Sequence, residues 1–135
     1  MRRISVGIDI AKDIHWACAT DADGAVLLDR RLDNTPEAIA ALAGDLAALG
    51  GEIRIGLDVL GGIAGLLEAM LADRGFQLVH VPGLAVNRAR QGMVGGENKS
   101  DPRDARAIAE QVRTRADLRP IEPATELDLE VRLLV

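Results

Sequence analysis

"ISVGIDIAKDIHWACAT", residues 4–20, alternates. Ile4, Val6, Ile8 and Ile10 fall on one face of an extended chain, and Ser5, Gly7 and Asp9 fall on the other. Beyond Lys12 and Asp13 the period resumes. Ile14, Trp16 and Cys18 repeat it and are expected to be the apolar row of a second strand, with Trp16 in the core. Asp21 to Gly24 supply a turn before a third strand over 25–32. Links this short make the three strands an antiparallel meander. The period then lengthens. Asn34, Thr35, Pro36 and Glu37 form a helix start, Ile39, Leu42, Leu46 and Leu49 lie on one stripe, and Gly50 and Gly51 end it. A fourth strand over 53–58 follows. Gly61 and Gly62 turn into a helix carrying Ile63, Leu66, Leu67, Met70 and Leu71, and Gly75 stops that helix before a fifth strand over 76–81.

The order is β-β-β-α-β-α-β, then helices. The fourth and fifth strands are each reached through a helix, so they are expected to run parallel to the first. This is the order of the ribonuclease-H-like (RuvC-like) α/β fold, a mixed five-stranded sheet with flanking helices. Pro82 and Gly83 close the sheet. A short helix over 86–93, a loop over 92–99 and a last helix carrying Ala105, Ile108, Ala109 and Val112 on one face complete a domain expected over residues 1–119. Pro120 and Pro123 make a linker. After it Leu127, Val131 and Leu134 stand at i, i+4 and i+7, the expected start of a truncated helix with coiled-coil spacing, within 120–135.

Composition narrows the classes. Aromatic residues make up 1% of the chain, Trp16 and Phe76, so the core is built from Ala, Val, Ile and Leu. No apolar run approaches the ~20 residues that span a bilayer. A single cysteine, Cys18, in a strand pattern suits a core position and a reducing cytoplasm. Two isolated histidines, His15 and His80, give no zinc spacing. Net charge is −5, but it is uneven. Residues 88–119 hold eight basic side chains against five acids, +3, which leaves −8 for the rest of the chain. A basic segment of this kind faces a polyanion or is a solvated helix face.

The acids carry the chemistry. Asp9 ends the first strand opposite its apolar row, and Asp58 ends the fourth in the same sense. Neighbouring strands would bring the two side by side at one sheet edge. Clustered carboxylates raise each other's pKa unless a cation holds them. Hard oxygen donors suit Mg2+ or Mn2+, and two such ions about 4 Å apart can clamp both oxygens of a phosphodiester displacement. Asp101 and Asp104 extend the stripe of the last helix backwards. In "KSDPRDA", residues 99–105, they are also a helix start, with Asp101 as cap and Pro102 at the first helical position. Capping and metal ligation compete for Asp101.

"VGIDIAK", "VPGLAVNRAR" and "ENKSDPRDARAIAE" resemble the DEDD transposase family of bacterial insertion sequences, the insertion-sequence one-ten type that includes Piv-like DNA invertases. The resemblance covers residues 4–120. It implies an N-terminal RuvC-like catalytic domain whose four acids, Asp9, Asp58, Asp101 and Asp104, bind divalent metal for DNA cleavage and strand transfer. The second acid of the family is usually Glu; Asp58 is shorter by one carbon–carbon bond, ~1.5 Å. Ser100 stands where the family often has Thr. Full-length members carry a further transposase domain with an attacking serine and work with a structured guide RNA. Neither that domain nor its serine motif is present, so the chain alone is not expected to recombine DNA. Lys12, Arg88, Arg90, Lys99, Arg103 and Arg106 flank the acids and are the expected nucleic-acid contacts, with homo-oligomers forming through the C-terminal helix. Three rivals share parts of the pattern: a Holliday-junction-resolvase-like nuclease, a non-catalytic assembly domain, and a lobe of a sugar-kinase or actin-like ATPase. Metal titration separates the second, and nucleotide binding the third.

Overall fold

The computed structural model describes residues 2–83 and 101–122. The expected helix over 86–93, the loop over 92–99 and the stripe of Leu127, Val131 and Leu134 lie outside the described residues. Strand β1 spans Arg3–Asp9, β2 Ile14–Thr20 and β3 Val26–Asp33. Helix α1 spans Pro36–Leu49, β4 Glu52–Leu57, a 3-10 turn Gly62–Ala64, helix α2 Gly65–Asp73, β5 Gln77–His80, helix α3 Pro102–Thr114 and β6 Arg119–Pro120. The sheet order is β3-β2-β1-β4-β5-β6. Strands β1, β4 and β5 are mutually parallel, and β2, β3 and β6 pair antiparallel to their neighbours.

The sheet has six described strands rather than five. The extra one is the edge strand β6, where Arg119 and Pro120 pair with His80 and Val79. It straddles the expected domain boundary at 119. A proline fits there because an edge strand has no partner for the missing N–H.

The sheet buries both faces. On one face Ile4, Val6, Ile8, Ile55 and Leu57 pack against Ile39, Leu42 and Leu46 of α1 and Leu67 and Leu71 of α2. Thr35 caps α1 by accepting from the Ala38 amide at 3.2 Å, and Gly50 ends it at a positive φ of 73°. On the other face α3 lies across β1 and β4, with Ile108 and Val112 packed on Val79, Val81 and Leu118.

Strand β2 departs from its expected facing. Ala17 pairs with Ile8 and Ala19 with Val6, so the core row of β2 is His15, Ala17 and Ala19. Trp16 pairs with Asp9 and Cys18 with Gly7, which puts both on the α3 face. Trp16 is half-buried and its indole N–H donates to Asp29. Trp16 shares a face with Cys18 as expected, but that face is not the one that packs on α1; the small Ala17 and Ala19 fill that place.

A trough in the sheet sets the position of α3. Gly7 and Gly56 are register partners on adjacent strands. A Cβ on Gly7 would stand 2.2 Å from the Ala105 carbonyl oxygen and 2.3 Å from the Ala109 amide nitrogen. One on Gly56 would stand 2.5 Å from a Val112 methyl. Two glycines below and two alanines above, one turn apart, allow helix and sheet backbones to touch.

Candidate functional site

Asp9 is the last residue of β1 and Asp58 directly follows β4. Ile8 pairs with Leu57, so the two acids leave neighbouring central strands at the same level. Both are buried, Asp9 at 0% and Asp58 at 5% exposure. Carboxylates this deep are costly unless hydrogen bonds or cations compensate them. Asp9 Oδ2 accepts from the Asp101 amide at 2.8 Å. Asp58 Oδ1 accepts from the Ile10 amide, next along the chain from Asp9, at 3.2 Å. Hydrogen bonds thus tie the end of β1 to both Asp58 and the start of α3.

Asp101 is the N-cap of α3. Its Oδ1 accepts from the Arg103 amide at 2.8 Å, and its Oδ2 meets the Arg103 guanidinium at 3.0 Å. The hydrogen bonds to Asp101, and then its charge, raise the Arg103 pKa, with a smaller contribution from the Asp104 charge. Asp104, half-buried in the first turn, donates its amide to the Asp101 carbonyl at 3.0 Å. The capping role of Asp101 is therefore realised. Among the described residues no three His, Cys, Asp or Glu side chains gather closely enough to hold a metal ion. The Asp101 carboxylate is turned onto its own helix and onto Arg103.

The donor set suits a hard divalent ion: buried carboxylates at strand ends, with no sulfur or imidazole among them. Asp9 and Asp58 are the two that neighbouring strands bring to one level, while Asp101 pairs with the Arg103 guanidinium. That guanidinium is 90% exposed, and an exposed ion pair of this kind is weak.

Of the expected nucleic-acid contacts, Lys12 is exposed in the turn after β1, and Arg103 and Arg106 are exposed on α3. Arg88, Arg90 and Lys99 lie outside the described residues. Arg54 carries no signal in its sequence context, yet its guanidinium donates at 3.4 Å to the Val112 and Arg115 carbonyls and so closes the C-terminal end of α3. His15, which has no zinc spacing in the sequence, has a structural place instead. It is fully buried, and its Nδ1 accepts from the Ala11 amide at 3.1 Å. The available signal was a histidine near the start of the strand that follows an acid-ended one.

A mixed sheet with two central acid-ended strands, and a helix laid across them bearing further acids, defines the ribonuclease-H-like class of carboxylate domains. Thermus thermophilus RuvC, solved in complex with a Holliday junction substrate, shares the fold at a TM-score of 0.57 and 14% identity, over 88% of this chain and 99% of RuvC. The model of the IS110-type DEDD transposase family, described as "Transposase", matches residues 6–135, and the chain belongs to that family. It is 42% identical over 132 residues to the "Insertion element IS116 uncharacterized 44.8 kDa protein" of Streptomyces clavuligerus, covering 98% of this chain and 33% of the relative. It is 35% identical over 130 residues to the "Insertion element IS900 uncharacterized 42 kDa protein" of Mycobacterium paratuberculosis, covering 95% of this chain and 32% of that relative. The chain thus spans about a third of the length of these curated relatives.

Proposed function

We propose that this chain is the RuvC-like catalytic portion of a DNA transposase, which binds Mg2+ or Mn2+ through Asp9, Asp58, Asp101 and Asp104 and takes part in cutting and transferring DNA strands. The observation that carries the reading is the pair of buried acids at neighbouring strand ends, tied by hydrogen bonds to the helix that bears the other two. When bound, the divalent ion polarises a phosphodiester and offsets the repulsion between the carboxylates and the DNA backbone. The chain's own residues do the rest. Asp58 anchors the turn after Asp9 through the Ile10 amide, and the N-cap of α3 fixes the first helical turn against Asp9. Lys12, Arg103 and Arg106, with Arg88, Arg90 and Lys99, draw the DNA backbone to the acids.

Three further assignments belong to this reading. A structured guide RNA is a partner by family resemblance. A second copy of this chain is a partner, through the Leu127, Val131 and Leu134 stripe. The cytoplasm is the compartment, in keeping with the single cysteine; among the described residues no helix is long and apolar enough to cross a membrane.

Calorimetric titration with Mn2+ tests the metal site. Asp9→Asn removes one charged ligand, and affinity is expected to fall by about tenfold or more, the scale on which changes around a metal site act. Equal affinity in the two proteins refutes the assignment.

A further inference from the structure

Beneath the acids runs a second, unassigned set of polar groups. The turn over residues 10–13 connects β1 to β2 and carries Lys12. Its Ile10 amide goes to Asp58, its Ala11 amide to His15 Nδ1, and its Asp13 carbonyl accepts from the Asn34 amide at 3.1 Å. The Asn34 side chain reaches the other way, donating Nδ2 to the Ile63 carbonyl at 3.5 Å in the 3-10 turn that follows Asp58. His15 and Asn34 therefore stand between the two turns that follow the strand-end acids.

The tautomer is determined by this geometry. An amide N–H donates to Nδ1, so Nδ1 carries no proton and a neutral ring must carry it on Nε2. Burial lowers the His15 pKa; Asn34, the Asp58 charge and the Ala11 backbone act in the opposite direction, in that order. His15 Nε2 and Asn34 Oδ1 are both buried, and neither meets a partner at full hydrogen-bonding geometry. One is a donor and the other an acceptor, and Asn34 is close enough to act on the imidazole. They are a buried donor and a buried acceptor of matching chemistry. Leaving both unpaired would strand two buried polar groups.

We propose that His15 and Asn34 form a polar strut under the site, and that His15, as its Nε2–H tautomer, is a positioning residue that holds the 10–13 turn in place behind Asp9. The chain of contacts runs Ala11 N–H, His15, Asn34, Ile63 carbonyl. It joins the turn after Asp9 to the turn after Asp58 without either acid taking part. The strut stands on the Ala11, Asp13 and Ile63 hydrogen bonds and on the two buried polar atoms between them; its consequence for metal affinity rests on the function proposed above.

Long-range 15N–1H spectra of the labelled protein at pH 7 read the tautomer directly, without any substitution. The expected result is a proton on Nε2 and none on Nδ1; a proton on Nδ1, on either the neutral or the charged ring, overturns the proposal. His15→Leu removes the acceptor and should speed Ala11 amide exchange by about tenfold or more, since local opening then governs that amide. His15→Asn places an oxygen near the Nδ1 position and should restore protection. Unchanged Ala11 exchange in His15→Leu also overturns the strut. Mn2+ affinity should follow the same order, falling about tenfold in His15→Leu and recovering in His15→Asn. If the unsubstituted protein binds no Mn2+, the metal assignment fails while the tautomer and the Ala11 amide still decide the strut.

Discussion

Gly7→Ala adds one methyl group at the floor of the trough that receives α3. Its carbon would meet the Ala105 carbonyl oxygen at 2.2 Å, the Ala109 amide nitrogen at 2.3 Å and the Ile108 carbonyl carbon at 2.9 Å. Resting contacts of this type are about 3.5 Å, so the helix must lift by about 1 Å. All three obstructing atoms are backbone, and no change of rotamer relieves them. Lifting also loosens Ala105, Ile108, Ala109 and Val112, which are buried. Overpacking a core costs about 1–3 kcal/mol, and an obstruction made of backbone puts Gly7→Ala at the upper end, about 3 kcal/mol. For a domain of this size that is a fall of about 10 °C in Tm. The same lift stretches the contact between the Asp101 amide and Asp9 from 2.8 Å to about 3.8 Å, beyond hydrogen-bonding range. Circular-dichroism melts and Mn2+ calorimetry on the same samples read both effects. Gly56→Ala is the control, because the nearest atoms there are methyls of Val112, Val81 and Ile108. Pairing it with Val112→Ala should recover part of the loss, whereas no such trimming helps Gly7→Ala. A Gly7→Ala protein melting within about 2 °C of the parent, a change worth under about 1 kcal/mol, with unchanged Mn2+ affinity would refute the trough as the determinant of helix position.

Further outcomes separate the remaining roles. Asp101→Ser keeps a capping oxygen and should hold stability to within about 0.5 kcal/mol, while Asp101→Ala loses about 1 kcal/mol by urea denaturation; a drop in Mn2+ affinity in both variants identifies ligation, and a drop in neither leaves Asp101 a cap alone. Duplex DNA binding should weaken with salt at a log–log slope of about −0.9 per phosphate contact, and Arg103→Ala with Arg106→Ala should flatten it; an unchanged slope in a filter-binding series removes both from the interface. Burial, with the Asp29 charge adding to it, raises the Cys18 pKa to about 11, against a smaller lowering by Arg106. The thiol stays protonated in the folded state while the unfolded thiol ionises near its ordinary 9.0, so its contribution to stability is complete below that pH and is lost as pH rises towards 11. Thiol-reagent titration at pH 8 should accordingly label Cys18 only on unfolding, and rapid labelling of the native protein counts against the buried placement.

The fold was largely legible because its signals are periodic. Alternation at Ile4, Val6 and Ile8 and the 3.6-residue stripe at Ile39, Leu42 and Leu46 depend on neighbours in the chain alone. The facing of β2 was not legible, since an alternating strand presents two rows and only the packing selects one. Here the selection went to Ala17 and Ala19, which leave room for α1, over Trp16. Strand β6 was hidden for a similar reason: two residues with a proline carry no pattern, and their pairing depends on where β5 ends. At the site, Asp9 and Asp58 could be placed from strand parity. The orientation of Asp101 could not, because a cap sequence and a ligand sequence are the same residues until the partner, Arg103, is seen. His15 escaped notice because its role depends on Ala11 and Asn34, which carry no chemical signature of their own.

The trough also orders events in time. Gly7 and Gly56 are brought together once β1 pairs with β4, and that pairing aligns Asp9 with Asp58. The third acid comes from much farther along the chain, since the contact between Asp101 and Asp9 closes a separation of 92 residues. Contacts of such range form late, after shorter loops have closed. During synthesis the sheet can therefore assemble with its glycine floor uncovered while α3 is still being made. A chain halted before residue 101 would carry two of the four acids, with the trough open to water or to any foreign helix small enough to enter it. Helix α3 thus acts as a closing key for the sheet, and Asp101 and Asp104 join Asp9 and Asp58 only once that key has been translated.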